Sequence, residues 1–307
     1  MPVKIYDVLI VGGGPGGYAA ALYAARSGLS TVVLEKLSAG GQMATTSQID
    51  NYPGFPDGVD GFELGQQMER QAHKYGAETI YGEVTGVELQ TDPKLVHSSE
   101  GDFAGRTVIL ATGAYPRELG LSGEQELRGK GVAYCATCDG MMFRGKTVVV
   151  NGGGNTAVED ALYLSKLCAK VYLVHRRDQL RASAVYRKAL DEQGVEIIWN
   201  SRVTGLKKET RLTGVELENV QTGEKRELAC DGIFVAIGRV PDTGVFAGQV
   251  KLDPAGYLEA DETCRTSVPG VFAVGDARTK AVRQVVTAAA DGANAAHFAE
   301  EYLLNKM

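Results

Sequence analysis

The sequence predicts an α/β protein of two domains, because one pattern of strand, glycine loop, helix and strand occurs twice along the chain. The first copy begins at Ile5 and the second at Thr147. At 307 residues the chain has the length of about two domains. Its 44% hydrophobic and 23% charged residues are typical of a globular protein. Glycine, with 39 residues, is unusually frequent, and many of these glycines fall at tight turns such as the two loops.

The first copy has the features of a dinucleotide site. An apolar run at 5–11 is followed by GGGPGG, in which Gly12, Gly14 and Gly17 have the GxGxxG spacing. Such glycines permit a tight turn, close approach of the backbone to a pyrophosphate, and close packing of helix on strand. A helical run and a second strand follow, and that strand ends in Glu35. Its carboxylate is placed to bind ribose hydroxyls.

The second copy favours a different nucleotide. In the first copy the acidic residue lies 23 positions after the first glycine, and at the same distance after Gly152 the second copy has a basic cluster. The cluster consists of His175, Arg176, Arg177 and, one helical turn further on, Arg181. Guanidinium groups bind a 2′-phosphate through charge-assisted hydrogen bonds. The second site therefore favours NADPH, and a solvated basic helix start is the alternative.

Segments marked by proline and glycine predict that the second domain is inserted into the first. These segments are ILATGAYPR at 109–117 and IGRVPDTGVF at 237–246. We expect residues 1–115 and 246–307 to form one domain and residues 116–245 to form the other. Each domain would then be Rossmann-like and of the three-layer ββα type.

A cysteine pair precedes the second glycine loop. Cys135 and Cys138 lie in CATCDG, and Gly152 follows Cys138 by 14 positions. The cysteines that form no second pair are Cys168, Cys230 and Cys264. Metal sites usually need two such pairs, whereas one pair beside a nucleotide site more often forms a redox dithiol. The sequence therefore predicts a dithiol that cycles with a disulfide, and no metal.

Charge and the amino-terminal segment argue against several classes of partner. The net charge of −6 gives no support to binding of nucleic acid or of an anionic membrane surface. The first apolar run is too short for a signal peptide or a membrane helix. Five cysteines, an odd number, do not indicate a structural disulfide framework. We therefore expect a cytoplasmic protein.

Several longer segments carry a resemblance to a known family. They are NYPGFP, ATGAYPR, CATCDG, HRRDQLRAS and RQVVTAAADGANAA. Together they resemble the low-molecular-weight thioredoxin reductases over nearly the whole chain, and the combination of CATCDG with HRRDxxRA is highly specific. The resemblance implies an FAD domain split by an NADPH domain, a homodimer, and NADPH-dependent reduction of the disulfide of thioredoxin.

The resemblance also implies the positions that bind each cofactor. For FAD they are Gly12, Gly14, Pro15, Gly17, Glu35, Lys36, Gly41, Gln42, Asn51, Val84, Ala111, Thr112, Gly113, Asp276, Arg283, Gln284 and Val285. For NADPH they are Gly152, Gly154, Asn155, Thr156, His175, Arg176, Arg177 and Arg181. Asp276 would accept hydrogen bonds from ribityl hydroxyls, although Gly275-Asp276 also suits a helix N-cap. The dipole of the final helix, which Gln284 and Val285 open, would stabilise negative charge on the reduced flavin.

A mechanism follows from the resemblance as well. NADPH reduces FAD, the NADPH domain rotates, and the reduced flavin attacks the Cys135–Cys138 disulfide, with Cys138 nearer the flavin. Rotation is needed because the dithiol and the nicotinamide site share one domain and cannot both reach one flavin face at once. Asp139 is the candidate acid that protonates the departing thiolate, and a plain turn-forming Asp-Gly is the alternative.

Some residues depart from the family pattern. Met141 and Met142 stand where many members have aromatic residues, and Arg239 stands where many have histidine. Asn151 is the last residue before Gly152, where an apolar strand residue would normally pack, so either its amide bonds neighbouring backbone or the strand ends early. A related enzyme with another disulfide client, of the glutaredoxin or peroxiredoxin type, is one alternative function. A non-catalytic flavoprotein is the other.

Overall fold

The computed structural model describes residues 4–46, 48–180 and 184–306. The chain folds into two compact units. Unit 1 consists of Met1–Tyr115 and Val240–Met307, and unit 2 consists of Pro116–Arg239. Among the described helices, none has the length and apolarity needed to cross a membrane.

The helices and strands are numbered in chain order. Residues 4–116 contain β1 (Ile5–Val11), α1 (Pro15–Arg26), β2 (Thr31–Glu35), α2 (Gly61–His73), β3 (Glu78–Tyr81), β4 (Val84–Glu88), β5 (Lys94–Ser98), β6 (Gly101–Leu110) and β7 (Ala114–Pro116). Then follow β8 (Val132–Ala133), α3 (Ala136–Asp139), β9 (Thr147–Gly152), α4 (Asn155–Ser165), β10 (Lys170–Val174), α5 (Ala184–Glu192), β11 (Glu196–Ile198), β12 (Ser201–Lys208), β13 (Leu212–Asn219), β14 (Lys225–Ala229), β15 (Gly232–Ala236) and β16 (Arg239–Pro241). The last part of unit 1 contains β17 (Val271–Ala273) and α6 (Val285–Leu304).

Unit 1 is built on one mixed sheet in the strand order β3-β2-β1-β6-β5-β4, in which β17 also pairs with β6. Strands β1, β2, β3, β6 and β17 pair in parallel, and β4 and β5 are antiparallel. Val8 and Ile10 face a core cluster that includes α1 and α6, whereas Leu9 and Val11 face a second cluster that includes Phe246. Because side chains of a strand alternate between faces, β1 is buried on both sides.

Unit 2 has three layers. A parallel sheet in the order β11-β10-β9-β15-β8 lies in the middle. On one face Val148 and Val150 pack against α4, and on the other face Val149 packs with Val215 and Leu217 of the antiparallel sheet β12-β13-β14. The predicted α/β class with two Rossmann-like domains is therefore confirmed.

Two details of the structure concern the domain boundary and the strand that contains Asn151. The chain re-enters unit 1 at Val240 rather than at residue 246. The reason is that the Asp242 N–H donates to the carbonyl oxygen of Gly113 (3.0 Å), and Phe246 is fully buried in the core of unit 1. Asn151 does not end its strand early, because it remains paired within β9 and the strand continues to Gly152.

Candidate cofactor and dithiol sites

The first glycine loop joins β1 to α1. Gly12 has a φ of 106°, which favours glycine, and a Cβ there would lie 2.5 Å from the carbonyl oxygen of Ala111. A Cβ on Gly17 would collide with the carbonyl oxygen of Gly12. Gly14 is the N-cap of α1, and a Cβ there would meet no atom of the described residues within 4 Å. The loop is therefore tightly packed on the sheet and open where the helix begins, as a phosphate site requires.

Glu35 supports this loop from the neighbouring strand. Its carboxylate accepts hydrogen bonds from the N–H groups of Gly13 (2.6 Å) and Leu37 (3.0 Å). The residue is only 8% exposed. Because each carboxylate oxygen has two lone pairs, the group can accept a further bond from a ribose hydroxyl while it holds the loop.

Five further predicted FAD positions lie near the carboxyl ends of β1 and β2. They are Pro15, Lys36, Gly41, Gln42 and Val84. A Cβ on Gly41 would lie 3.4 Å from the Cα of Gly14, so the turn that begins at Gly41 passes beside the helix N-terminus. Lys36 forms an exposed ion pair with Glu83 (2.6 Å), next to the first residue of β4. Gly41 therefore lies beside the glycine loop, and the Lys36–Glu83 pair links the end of β2 to the start of β4.

The remaining FAD positions follow β6 or lie around the start of α6. They are Asn51, Ala111, Thr112, Gly113, Asp276, Arg283, Gln284 and Val285. Asn51 donates through Nδ2 to Oε1 of Gln284 (3.1 Å), and Gln284 is the N-cap of α6. Thr112 donates through Oγ1 to the carbonyl oxygen of Asp242 (2.5 Å). Asp276 lies in the short turn Gly275–Ala277.

The residues of unit 1 fit a bound flavin dinucleotide. The open N-terminus of α1 at Gly14 offers backbone N–H groups to a pyrophosphate. Within the described residues, the buried Nε atoms of Arg278 and Arg283 have no hydrogen-bond partner. Buried donors are usually satisfied, so an unpaired donor at a predicted FAD position such as Arg283 is suited to a ligand acceptor.

The second glycine loop joins β9 to α4 in unit 2. Gly154 is the N-cap of α4, whose first two residues, Asn155 and Thr156, are exposed. A Cβ on Gly152 would collide with the carbonyl oxygen of Ala236 on the adjacent strand, so glycine is needed there. The loop thus repeats the packing of the first one, and the start of α4 offers backbone N–H groups to a phosphate.

His175 occupies the place in unit 2 that Glu35 occupies in unit 1. A Cβ on Gly153 would collide with its ring, and its Nε2 lies 3.0 Å from the carbonyl oxygen of Gln179. The residue is 6% exposed, and its ring meets Trp199 edge to face at a centroid distance of 6.3 Å. The structure therefore places His175 beneath the glycine loop, inside the unit.

The arginines of the predicted phosphate cluster have a different environment. Arg176 and Arg177 follow β10 after His175 and are both exposed. Arg181 lies outside the described residues. Two exposed guanidinium groups beside the strand that neighbours the glycine loop suit an anionic ligand, whereas buried His175 is not grouped with them.

Cys135 and Cys138 form a disulfide, with their Cα atoms 5.3 Å apart. Cys135 is the N-cap of the short helix α3, and the Asp139 N–H donates to its carbonyl oxygen (3.0 Å). Further along, Phe143 is buried and its ring meets that of Phe234 edge to face, 5.1 Å between centroids. The disulfide segment is thus anchored to the core of unit 2.

Asp139 is a partly buried acid directly after the disulfide. Burial raises the pKa of Asp139 from 3.8 to about 6, and the charge of nearby Arg128 opposes part of that rise. With this pKa about one tenth of the group is protonated at pH 7, whereas an ordinary aspartate is almost fully ionised. The raised pKa therefore makes Asp139 a better proton donor near neutral pH than an ordinary aspartate.

Glu124 and Tyr134 hold the backbone that leads into the disulfide. The Glu124 carboxylate, 2% exposed, accepts bonds from three backbone N–H groups at 2.9, 2.8 and 3.3 Å and from the Tyr134 hydroxyl at 2.8 Å. The Arg128 guanidinium lies 5.2 Å from the centre of the Tyr134 ring. Because Tyr134 precedes Cys135, this cluster orients the redox segment. Sequence reasoning missed it, since the only signal was the adjacency of a tyrosine to the cysteine pair.

The other three cysteines lie in environments that suppress thiolate formation. Burial raises the pKa of Cys168 to about 11, and it raises the pKa of Cys230 and of Cys264 to about 12. Because the thiolate is the reactive form, these thiols are poor nucleophiles at neutral pH. The redox chemistry of the chain therefore concentrates on Cys135 and Cys138.

Comparison with known proteins agrees with this arrangement. The family model described as pyridine nucleotide-disulphide oxidoreductase matches residues 6–292. A thioredoxin reductase of Treponema pallidum is 45% identical over 299 residues, which cover 97% of each chain. One of Bacillus subtilis is 43% identical over 302 residues, which cover 98% of this chain and 95% of the relative.

Solved structures give the same result. The crystal structure of thioredoxin reductase from Streptococcus pyogenes superposes with a TM-score of 0.92 at 42% identity and covers 99% of this chain and 100% of its own. Thioredoxin reductase from Giardia duodenalis superposes with a TM-score of 0.91 at 38% identity, covering 98% and 99%. The chain therefore belongs to the pyridine nucleotide-disulphide oxidoreductase family and, within it, to the thioredoxin reductases.

Proposed function

We propose that this protein reduces the disulfide of thioredoxin with electrons from NADPH, which pass through FAD and the Cys135–Cys138 pair. The observation that carries the proposal is the disulfide itself, which lies in the same compact unit as the second glycine loop and the exposed arginines. The names of the relatives support the same activity. In this proposal unit 1 is the FAD domain and unit 2 is the NADPH domain.

Each unit holds its nucleotide through its glycine loop. In unit 1 the N-terminus of α1 binds the pyrophosphate, and Glu35 orients the ribose through its carboxylate. In unit 2 the N-terminus of α4 binds the pyrophosphate, while Arg176 and Arg177 bind the 2′-phosphate. FAD supplies a two-electron relay between a nicotinamide and a disulfide.

The cysteine pair carries the electrons to the client. Two electrons and two protons break the Cys135–Cys138 bond and leave two thiols, with Asp139 protonating the thiolate that departs first. One cysteine then attacks the client disulfide as a thiolate and forms a mixed disulfide. The second cysteine attacks that bond, which releases the client dithiol and restores the Cys135–Cys138 disulfide. NADPH, one proton and oxidised client are thereby converted to NADP⁺ and reduced client.

Unit 2 must contact the protein client and must also bring both the disulfide and the NADPH site to the flavin. Met141 and Met142 follow the disulfide and are 47% and 41% exposed, so these adaptable side chains are suited to contact with a protein client. Because disulfide and NADPH site share unit 2, they must reach the flavin in turn. We propose that unit 2 rotates about the two chain crossings, at 115–116 and 239–240, between these steps.

One assay tests the proposal. NADPH oxidation is followed in the presence of oxidised thioredoxin for the wild type, Cys138→Ser and the control Cys168→Ser. We expect turnover by the wild type and by Cys168→Ser, and none by Cys138→Ser. NADPH oxidation by Cys138→Ser at a rate like that of the wild type would refute the dithiol mechanism. Parallel reactions with glutaredoxin- and peroxiredoxin-type disulfides identify another client if thioredoxin is not reduced.

We also propose that the protein acts as a homodimer in the cytoplasm, with neither nucleic acid nor membrane as a partner. The family resemblance supports the dimer, and the predominance of unreactive buried thiols suits a reducing compartment. Sedimentation equilibrium of the flavin-loaded protein tests the assembly, and a mass of 32.6 kDa, that of one chain, would refute the dimer.

A further inference from the structure

A buried cluster of three charged side chains lies in unit 1 beside α6. Asp291 accepts a hydrogen bond from Nη1 of Arg278 (2.9 Å) through Oδ1 and from Nζ of Lys280 (2.7 Å) through Oδ2. The side chains of Arg278, Lys280 and Asp291 are only 4%, 9% and 11% exposed. Buried charges are costly unless their hydrogen-bonding groups are satisfied, so the partners of this cluster indicate what it organises.

Asp291 connects α6 to the turn that carries a predicted FAD residue. Its Oδ2 also accepts the backbone N–H of Gly275 at 2.9 Å. Gly275 has a φ of 67° and opens the turn that contains Asp276. One carboxylate therefore holds this turn and both cations against the side of α6.

The two cations fasten the chain that runs from this turn to α6. Lys280 donates to the carbonyl oxygen of Thr287 (3.2 Å) in the first turn of α6, and Arg278 donates to that of Asp261 (2.9 Å). The carbonyl oxygen of Arg278 in turn accepts a bond from Arg283 (3.4 Å). The segment 275–285, which contains four predicted FAD positions, is thus fixed by the cluster.

Helix α6 is itself fixed relative to the first glycine loop. A Cβ on Gly292, the residue after Asp291, would collide with the carbonyl oxygen of Gly16 and lie 2.7 Å from the backbone nitrogen of Ala20. The backbones of α6 and α1 are therefore in direct contact at this point. Since α1 begins at the glycine loop, Asp291 stands where the two parts of the predicted FAD site are aligned.

The cluster also carries an excess of positive charge. Two cations face one carboxylate, and within the described residues the buried Nε of Arg278 has no hydrogen-bond partner. In a poorly solvated interior such an excess charge acts over several ångströms with little screening. A ligand held by the segment 275–285 therefore experiences the charge of this cluster together with the charges of Asp276 in the segment and of nearby Asp261.

We infer that Asp291, together with Arg278 and Lys280, positions the flavin by aligning the segment 275–285 with the glycine loop, and that the excess positive charge of the cluster favours the anionic reduced flavin. The inference rests on the proposed binding of FAD by unit 1. These residues act through the segment and are positioning residues rather than catalytic ones.

Two variants change the cluster charge in opposite directions. Asp291→Asn keeps the size of the side chain and raises the excess charge to two, whereas Lys280→Met removes the excess and leaves the Arg278–Asp291 pair. Lys251→Met is the control, because Lys251 is 66% exposed and pairs with Glu259 on the surface of the same unit. The measurements are the affinity of the flavin-free protein for FAD, by flavin fluorescence, and the midpoint potential of the loaded protein.

We expect both cluster variants to bind FAD about 10- to 100-fold more weakly, as loss of a charged hydrogen bond predicts. The midpoint potential should move to a more positive value in Asp291→Asn and to a more negative value in Lys280→Met. Lys280→Arg, which keeps the charge, should restore the wild-type potential, and Lys251→Met should change neither quantity.

Unchanged affinity, or potentials that shift in the same direction in both variants, would overturn the inference. If Asp291→Asn does not fold, Lys280→Met alone tests the inference. An unchanged affinity for FAD or an unchanged midpoint potential in that variant is sufficient to refute the inference. The proposed function fails separately, through a wild-type protein that binds no flavin or that oxidises NADPH without reducing any protein disulfide.

Discussion

Replacing Asp139 by asparagine removes a partly buried carboxyl group that directly follows the disulfide, and the structure predicts that the oxidised protein becomes more stable. Burial raises the pKa of Asp139 from 3.8 to about 6, so the folded protein resists ionisation of this group more than the unfolded chain does. The two values differ by about 2 pH units, which corresponds to about 3 kcal/mol.

The sign of the pH dependence follows from proton linkage. Between 3.8 and about 6 the folded protein keeps the proton that the unfolded chain has lost, so this group lowers the stability of the wild type as the pH rises. Above about pH 6 the penalty is complete. Asp139→Asn escapes it, so the variant should gain up to ~3 kcal/mol at pH 8 and almost nothing below pH 4.

Urea unfolding of the oxidised protein measures this gain. Trp199 is the only tryptophan of the chain and lies in unit 2, so its emission follows the unit that contains Asp139. Asp191→Asn is a matched control, because Asp191 is exposed and pairs with Arg187 on the surface of the same unit. It should change the unfolding free energy by less than about 1 kcal/mol. A gain in Asp139→Asn that does not vary between pH 4 and pH 8 would refute the reasoning.

Three further variants test the nucleotide loops and the support of the disulfide. Arg176→Ala combined with Arg177→Ala should raise the KM for NADPH by about 10²- to 10⁴-fold and leave NADH nearly unaffected, and an unchanged ratio of the two in steady-state assays contradicts the assignment. Glu124→Gln replaces an accepting oxygen by a donor, so urea unfolding should show a loss of about 1–3 kcal/mol and thioredoxin reduction should slow; an unchanged rate argues against orientation of the disulfide. Gly17→Ala forces a side chain against the first loop and should lower bound flavin, measured by absorbance, whereas Gly244→Ala, whose Cβ would meet no described atom within 4 Å, should not.

The order of elements could be predicted because its signals are local. Apolar runs and glycine spacing identify β1, α1 and the strand that ends at Glu35 without knowledge of distant contacts. The same signals in the same register identify the second copy. The close fit of Gly153 to His175 repeats that of Gly13 to Glu35, so the two residues that share a register also share a place in the fold.

What the sequence did not reveal depends on contacts between distant segments. The boundary at Val240 reflects the bond of Asp242 to Gly113, which no local pattern encodes. Arg278, Lys280 and Asp291 belong to no nucleotide motif, and their pairing requires α6 to be packed first. The burial of His175 was missed for a similar reason, since its basic neighbours suggested an exposed cluster, and exposure depends on the packing of Trp199.

The three unpaired thiols, two of them buried and one partly buried, have a practical consequence for measuring the redox state of the pair. The raised pKa values of Cys168, Cys230 and Cys264 keep these thiols protonated at neutral pH. An alkylating reagent therefore modifies the reduced Cys135–Cys138 pair faster than it modifies these three thiols. Brief alkylation of the folded protein should add no mass while the pair is oxidised and two adducts per chain once it is reduced. Mass spectrometry can therefore report the redox state of the pair directly, and the other cysteines of the chain need not be replaced by mutation.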